Sequence, residues 1–175
     1  GSAVTVDKST PSITTASIAS NNSSGDELAV PGNIITLTMV ANENITAPTV
    51  TIATQSATVA IGSDAQNWSA TYTMTENESN GTIPFTIDYA DSAGNAGGTQ
   101  TALVNDADGD EVTYDKSQPV LSNVILKSDN SFDSTYAKVG SVITVSFNSN
   151  EELLTSSVAV TIAGVSRSPS KSASW

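Results

Sequence analysis

The chain of 175 residues has no cysteine and no histidine, and only 6 lysines and arginines stand against 18 aspartates and glutamates. Each shortage removes a class of chemistry. Without cysteine there is no thiolate zinc site, no cysteine nucleophile and no disulfide framework. Without histidine the commonest general base and the commonest transition-metal ligand are missing, so a Ser–His–Asp triad cannot be assembled. A formal charge of −12 opposes nucleic acid, whose phosphates are gripped by Lys and Arg clusters. No apolar run approaches the ~18 residues of a membrane-spanning helix, so no membrane insertion is expected, and no signal peptide is read. There is no Walker-type glycine loop, and aromatics, at 5%, are too few for the subsites of a glycosidase cleft. Catalysis is not expected.

What is abundant is β-branched: 16 Val, 12 Ile and 23 Thr against 7 Leu. Such side chains are stiff at χ1 and suit a pleated surface better than a helix. Apolar residues recur with period two. Ile35, Leu37 and Met39 share one face, with Thr36 and Thr38 on the other. Trp68, Ala70, Tyr72 and Met74 alternate with Ser69, Thr71 and Thr73, and Ile83, Phe85, Ile87 and Tyr89 with Thr82, Pro84, Thr86 and Asp88. Shorter runs lie around Ala16 and Ile18, Val50 and Ile52, and Val59 and Ile61; Leu103-Val104 and Val112-Thr113-Tyr114 read as the arms of a final hairpin. Pro84 lacks an N–H, so a bulge or a free edge is expected there. About seven short strands per ~110 residues, separated by Gly, Pro and Asn clusters, predict an all-β, two-sheet sandwich.

The chain repeats itself. Val4-Thr5-Val6-Asp7-Lys8-Ser9-Thr10-Pro11 returns 108 residues later as Val112-Thr113-Tyr114-Asp115-Lys116-Ser117-Gln118-Pro119. At the same offset Ala16 and Ile18 meet Val124 and Leu126, Gly32 meets Gly140, and Ile35, Leu37 and Met39 meet Ile143, Val145 and Phe147. Glu43 becomes Glu151; with a short insertion, Val50-Thr51-Ile52-Ala53 becomes Val160-Thr161-Ile162-Ala163 and Trp68 becomes Trp175. This implies one complete domain over 8–115 and the N-terminal half of a second over 116–175, with 1–7 the end of a preceding junction or a tag. The second copy has no counterpart of the strands from Trp68 to Tyr114. Two readings stand side by side: a parent chain that continues, or strands donated by another chain.

These residues, with Lys138-Val139-Gly140 and Asp91-Ser92-Ala93-Gly94-Asn95, resemble the bacterial-type immunoglobulin-like tandem repeats of giant cell-surface adhesins and stalk proteins. Similar arrays occur on algal and protist surface proteins. The resemblance implies an extracellular, non-catalytic spacer whose partners are neighbouring repeats of its own chain. Alternatives are a filament subunit assembled with other copies through strand edges, and a module that binds a surface glycan or receptor.

The most site-like stretch is Asp106-Ala107-Asp108-Gly109-Asp110-Glu111, near Asp115. Alternating aspartates can wrap Ca²⁺, which takes six to eight hard oxygen ligands. The spacing departs from an EF-hand at Glu111 and Ser117, and an acidic hairpin turn at Asp108-Gly109 accounts for it equally. Asp91 and Asn95, with Asp88, form a second acidic group able to complete a Ca²⁺ site or simply to satisfy their own loop through Asx-turns. Glu43 and Glu151 read mainly as loop caps. Sequons place N-glycans, in a eukaryotic source, at Asn21, Asn22, Asn77 and Asn80. Trp68 and Tyr72 share the apolar face of one strand and are expected in the core rather than on a sugar platform.

Overall fold

The computed structural model describes residues 4–107, 109, 111–153 and 158–170. They contain fourteen strands and no helix. Two compact units are formed, Gly1–Lys116 and Ser117–Trp175.

The first unit holds β1 (Ile13–Ser20), β2 (Leu28–Ala29), β3 (Ile34–Ala41), β4 (Thr49–Ile52), β5 (Gln55–Ser56), β6 (Thr58–Ile61), β7 (Asn67–Thr73), β8 (Gly81–Thr82), β9 (Phe85–Asp88) and β10 (Thr113–Tyr114). An antiparallel sheet runs in the order β1-β3-β7-β6, a second in the order β5-β4-β9. In the third, β10 lies between β2, to which it is parallel, and β8, to which it is antiparallel. Period two does its expected work: Ile35, Leu37 and Met39 of β3 are at most 1% exposed, while Ile34 on the other face is 41% exposed. They belong to one core with Ala16, Ile18 and Ala70 of the first sheet, Val50, Ile52, Phe85 and Ile87 of the second, and Val112 and Tyr114. Each fully buried aliphatic side chain contributes about 1.5–3 kcal/mol. Trp68 and Tyr72 are half-buried and pack against this core.

Two local expectations are corrected. The run from Thr82 to Tyr89 is not one strand: it changes sheet at Ile83-Pro84, so that β8 joins the third sheet and β9 the second. Pro84 has no N–H for a ladder, and its carbonyl accepts instead from Ala53 N at 2.8 Å. Nor do Leu103-Val104 and Val112 to Tyr114 form a hairpin. Val104 bonds Ala16 on the outer edge of β1 (2.9 and 3.1 Å), while β10 crosses to β2 and β8. Two open edges compete for the two arms, and each captures one.

The second unit holds β11 (Leu121–Ser128), β12 (Ile143–Ser149), β13 (Val160–Ile162) and β14 (Val165–Arg167), paired as two antiparallel couples. The 108-residue offset is reproduced in the register of the paired segments on either side of a bulge, which spans Ser122 to Ile125 in the second hairpin and Ile13 to Thr15 in the first. Ile18 pairs with Leu37, and Leu126 with Val145; Ser17 pairs with Thr38, and Ile125 with Ser146. Asn42 Oδ1 accepts Ser12 N at 2.8 Å, and Asn150 Oδ1 accepts Val120 N at 2.6 Å. The tight turns agree as well. Ala53-Thr54 (φ 51° and 66°) and Ala163-Gly164 (φ 51° and 78°) are both left-handed pairs of the type I′ kind that matches strand twist.

Candidate functional site

The loop after β9 is built around Asp91, which is 3% exposed. Its Oδ1 accepts the N–H groups of Ala93 and Asn95, both at 2.8 Å, and its Oδ2 accepts Asn95 Nδ2 at 2.7 Å. The side chain thus closes its own loop as an Asx-turn. The Asn95 amide first, then the backbone N–H groups of Asn95, Ala93 and Gly94, outweigh burial and hold the Asp91 carboxyl below its ordinary value. Gly97 continues the loop where a Cβ would stand 2.1 Å from the Tyr89 ring, so only glycine passes. The Tyr89 hydroxyl in turn accepts Ile13 N at 3.3 Å, tying the loop to β1.

Two further carboxylates converge here. Glu43 follows β3, where Thr46 N bonds Ala90 O at 2.9 Å and holds that segment against the loop. Asp7 lies on the segment leading into β1, and its carbonyl accepts Asn95 Nδ2 at 3.4 Å. Carboxylate oxygens of Asp7, Glu43 and Asp91 all lie within 4.8 Å of one another. Three carboxylates this close could hold a hard divalent cation, the oxygen donors suiting Ca²⁺, Mg²⁺ and Mn²⁺ alike.

The aspartates singled out by sequence are not gathered into one place. Asp91 and Asn95 stand together in this group. Asp106, half-buried, lines a shallow groove of about 240 Å³ with Asp26 and Glu27. Asp115 accepts Asn80 Nδ2 at 2.7 Å. Asp108 and Asp110 lie outside the described residues. Asp88 accepts the Thr99 hydroxyl at 2.5 Å. The residue that spacing within the loop could not reveal is Asp7, remote in sequence from Asp91; its signal was the repeat, which returns it as Asp115 just as it returns Glu43 as Glu151. In the second unit Glu151 Oε1 is buried and, among the described residues, has no hydrogen-bond partner.

Of the sequons, Asn21 and Asn77 are exposed and Asn22 half-exposed, all in loops. Asn80 is engaged: besides its bond to Asp115, its Oδ1 accepts Lys116 N at 3.0 Å. It belongs to a polar knot at the end of the first unit that sequence did not disclose. Glu78, 9% exposed, accepts the Tyr72 hydroxyl at 2.6 Å, Thr75 N at 2.7 Å and the Thr75 hydroxyl at 2.9 Å. The Tyr114 hydroxyl donates to Thr75 O at 2.6 Å and Lys116 Nζ to Glu76 O at 2.9 Å. Burial pushes the Glu78 carboxyl upward, but the bonds from Tyr72 and Thr75 outweigh it and hold the group below its ordinary value. The same bond to Glu78 raises Tyr72.

No protein-family model, no curated protein and no solved structure matches the chain.

Proposed function

We propose that the chain is a non-catalytic structural repeat: immunoglobulin-like two-sheet sandwiches in tandem, serving as spacer or stalk of a large extracellular surface protein. The observation that carries this reading is the repetition itself. Strand register and the asparagine bridge recur 108 residues later and the turn conformation 110 residues later, as in arrays whose units are repeated for length rather than for a single site. The acidic balance supports a soluble, self-repelling surface. In this reading Asp7, Glu43 and Asp91 hold Ca²⁺, fastening the leading segment to the body of its unit, and the partners are neighbouring repeats.

Two measurements test it. Antibodies raised against the chain should label intact cells of the source organism from outside; labelling that needs permeabilised cells overturns the surface reading. Ca²⁺ added to chelator-stripped protein should release or absorb heat and raise the melting temperature, since an ion that binds only the folded state stabilises it. Asp7→Asn with Glu43→Gln should remove that response and spare the calcium-free melt. Identical melts with and without Ca²⁺ remove the ion from the account.

A further inference from the structure

The chain contains one Asn-Gly pair, Asn80-Gly81, and the fold places it in the polar knot that closes the first unit. Asn-Gly is the sequence at which an asparagine side chain most readily reacts with its own backbone, because glycine has no Cβ to hinder its nitrogen. The Gly81 nitrogen, losing its proton, bonds to Asn80 Cγ; the Cγ–Nδ2 bond breaks and ammonia leaves. Water then opens the resulting five-membered succinimide to aspartate or isoaspartate. Water is the only co-reactant.

In the closed structure both reacting groups are engaged. Asn80 Nδ2 donates to Asp115 Oδ1 at 2.7 Å, and Asn80 Oδ1 accepts Lys116 N at 3.0 Å, which fixes the amide against the segment leaving β10. Gly81 stands opposite Tyr114 in the β8–β10 ladder. Bonds alternate along β10: Thr113 N and Asp115 N reach Glu27 O and Ala29 O on the β2 side, whereas Val112 O accepts Ile83 N on the β8 side. Tyr114, two residues beyond Val112, turns the same way, so the Gly81 N–H belongs to that ladder. Yet Asn80 and Gly81 are exposed and β8 is 2 residues long, so this end opens at lower cost than the sealed core.

We propose that Asn80-Gly81 is a self-modification site built as a latch: the closed β8–β10 end protects the amide, and opening it lets the amide convert to a carboxylate that hinders reclosure. Aspartate at position 80 loses the donor that bridges to Asp115 and sets carboxylate against carboxylate. Isoaspartate adds a backbone atom ahead of β8 and displaces its pairing with β10. Glu76 and Glu78 act on Tyr114 at the same end, so the new charge enters an already acidic neighbourhood. A brief opening is thereby written into the chain as a lasting one.

The full chain, aged in mildly alkaline buffer with and without urea and then digested for mass spectrometry, reads the conversion directly. In urea Asn80 should exchange its amide for an acid, with isoaspartate scored by enzymatic methylation, at least about tenfold faster than in the folded chain. Asn80→Asp, the product made genetically, should lower the urea midpoint and speed amide hydrogen exchange over residues 112–115. Adding Asp115→Asn restores an amide–carboxylate pair and should recover most of both losses, which a merely structural role for Asn80 would not predict. Equal conversion in folded and unfolded chain, or none in urea, overturns the proposal. So does an Asn80→Asp chain that matches the original, or one that Asp115→Asn does not rescue.

Discussion

Leu37 and Val145 occupy the same place in two copies of one hairpin, opposite Ile18 and Leu126 in the same register, yet only Leu37 is sealed from water. The contrast separates two layers of specification. Turns, asparagine bridges and strand register are reproduced wherever the local sequence recurs, because they are settled by a few neighbouring residues. Burial is not reproduced among the described residues, because in the first unit it comes from β7, β9 and β10, which arrive from elsewhere in the sequence.

The largest test of that separation is truncation at the paired positions. Leu37→Ala should cost the first unit about 2–5 kcal/mol, by lost transfer energy and a cavity, read as a lower urea midpoint. Val145→Ala should cost less than about 1 kcal/mol in the chain alone, since its side chain still meets water. Equal losses would mean that the second hairpin is covered after all.

A smaller effect belongs to the polar knot that closes the first unit. Glu78→Gln removes a buried acceptor of three bonds and should cost about 1–3 kcal/mol. Because the folded carboxyl titrates below its ordinary value of 4.5, its contribution is complete above about pH 4.5. It is lost as the pH falls through the depressed folded value. Asp91 behaves alike below its ordinary 3.8. Melting temperatures from pH 7 downward should therefore drop in acid, and the drop should be shallower in Glu78→Gln. Parallel curves would remove Glu78 as a source of acid sensitivity.

The smallest effect lies in the matched turns. Thr54 holds φ 66° where the second copy uses Gly164 at 78°, and a β-branched residue is strained there. Thr54→Gly should raise stability by about 0.5–1 kcal/mol, and Gly164→Thr should weaken the β13–β14 pairing, both read by thermal melts. If Thr54→Gly is neutral, local contacts already compensate the strain.

How far the sequence was legible follows the same division. Period-two runs located β1, β3, β4, β7 and the core residues on them, since one buried face imposes alternation. Self-similarity identified the hairpin copies and aligned Val50–Ala53 with Val160–Ala163. What it could not decide was which edge captures a strand. Val104 and Thr113-Tyr114 look like hairpin arms, but Val104 bonds the free edge of β1 and β10 fills the place between β2 and β8, and no short-range pattern records that choice. The candidate site divides likewise: the Asp91 loop was visible as Asp-Gly-Asn spacing, whereas Asp7 joins it through tertiary packing alone. The Tyr72–Glu78 bond, six residues apart and across a turn, left no periodic trace.

The parallel pairing of β10 with β2 has a mechanical consequence. A pull on the segment after Lys116 draws β10 along its own axis. Its bonds to Glu27 O and Ala29 O, 2.8 and 2.9 Å long, are then loaded sideways and together, with the Tyr114 and Lys116 anchors sharing the strain. A strand peeled from its end would lose such bonds one at a time. This unit should yield late and abruptly under tension along the chain.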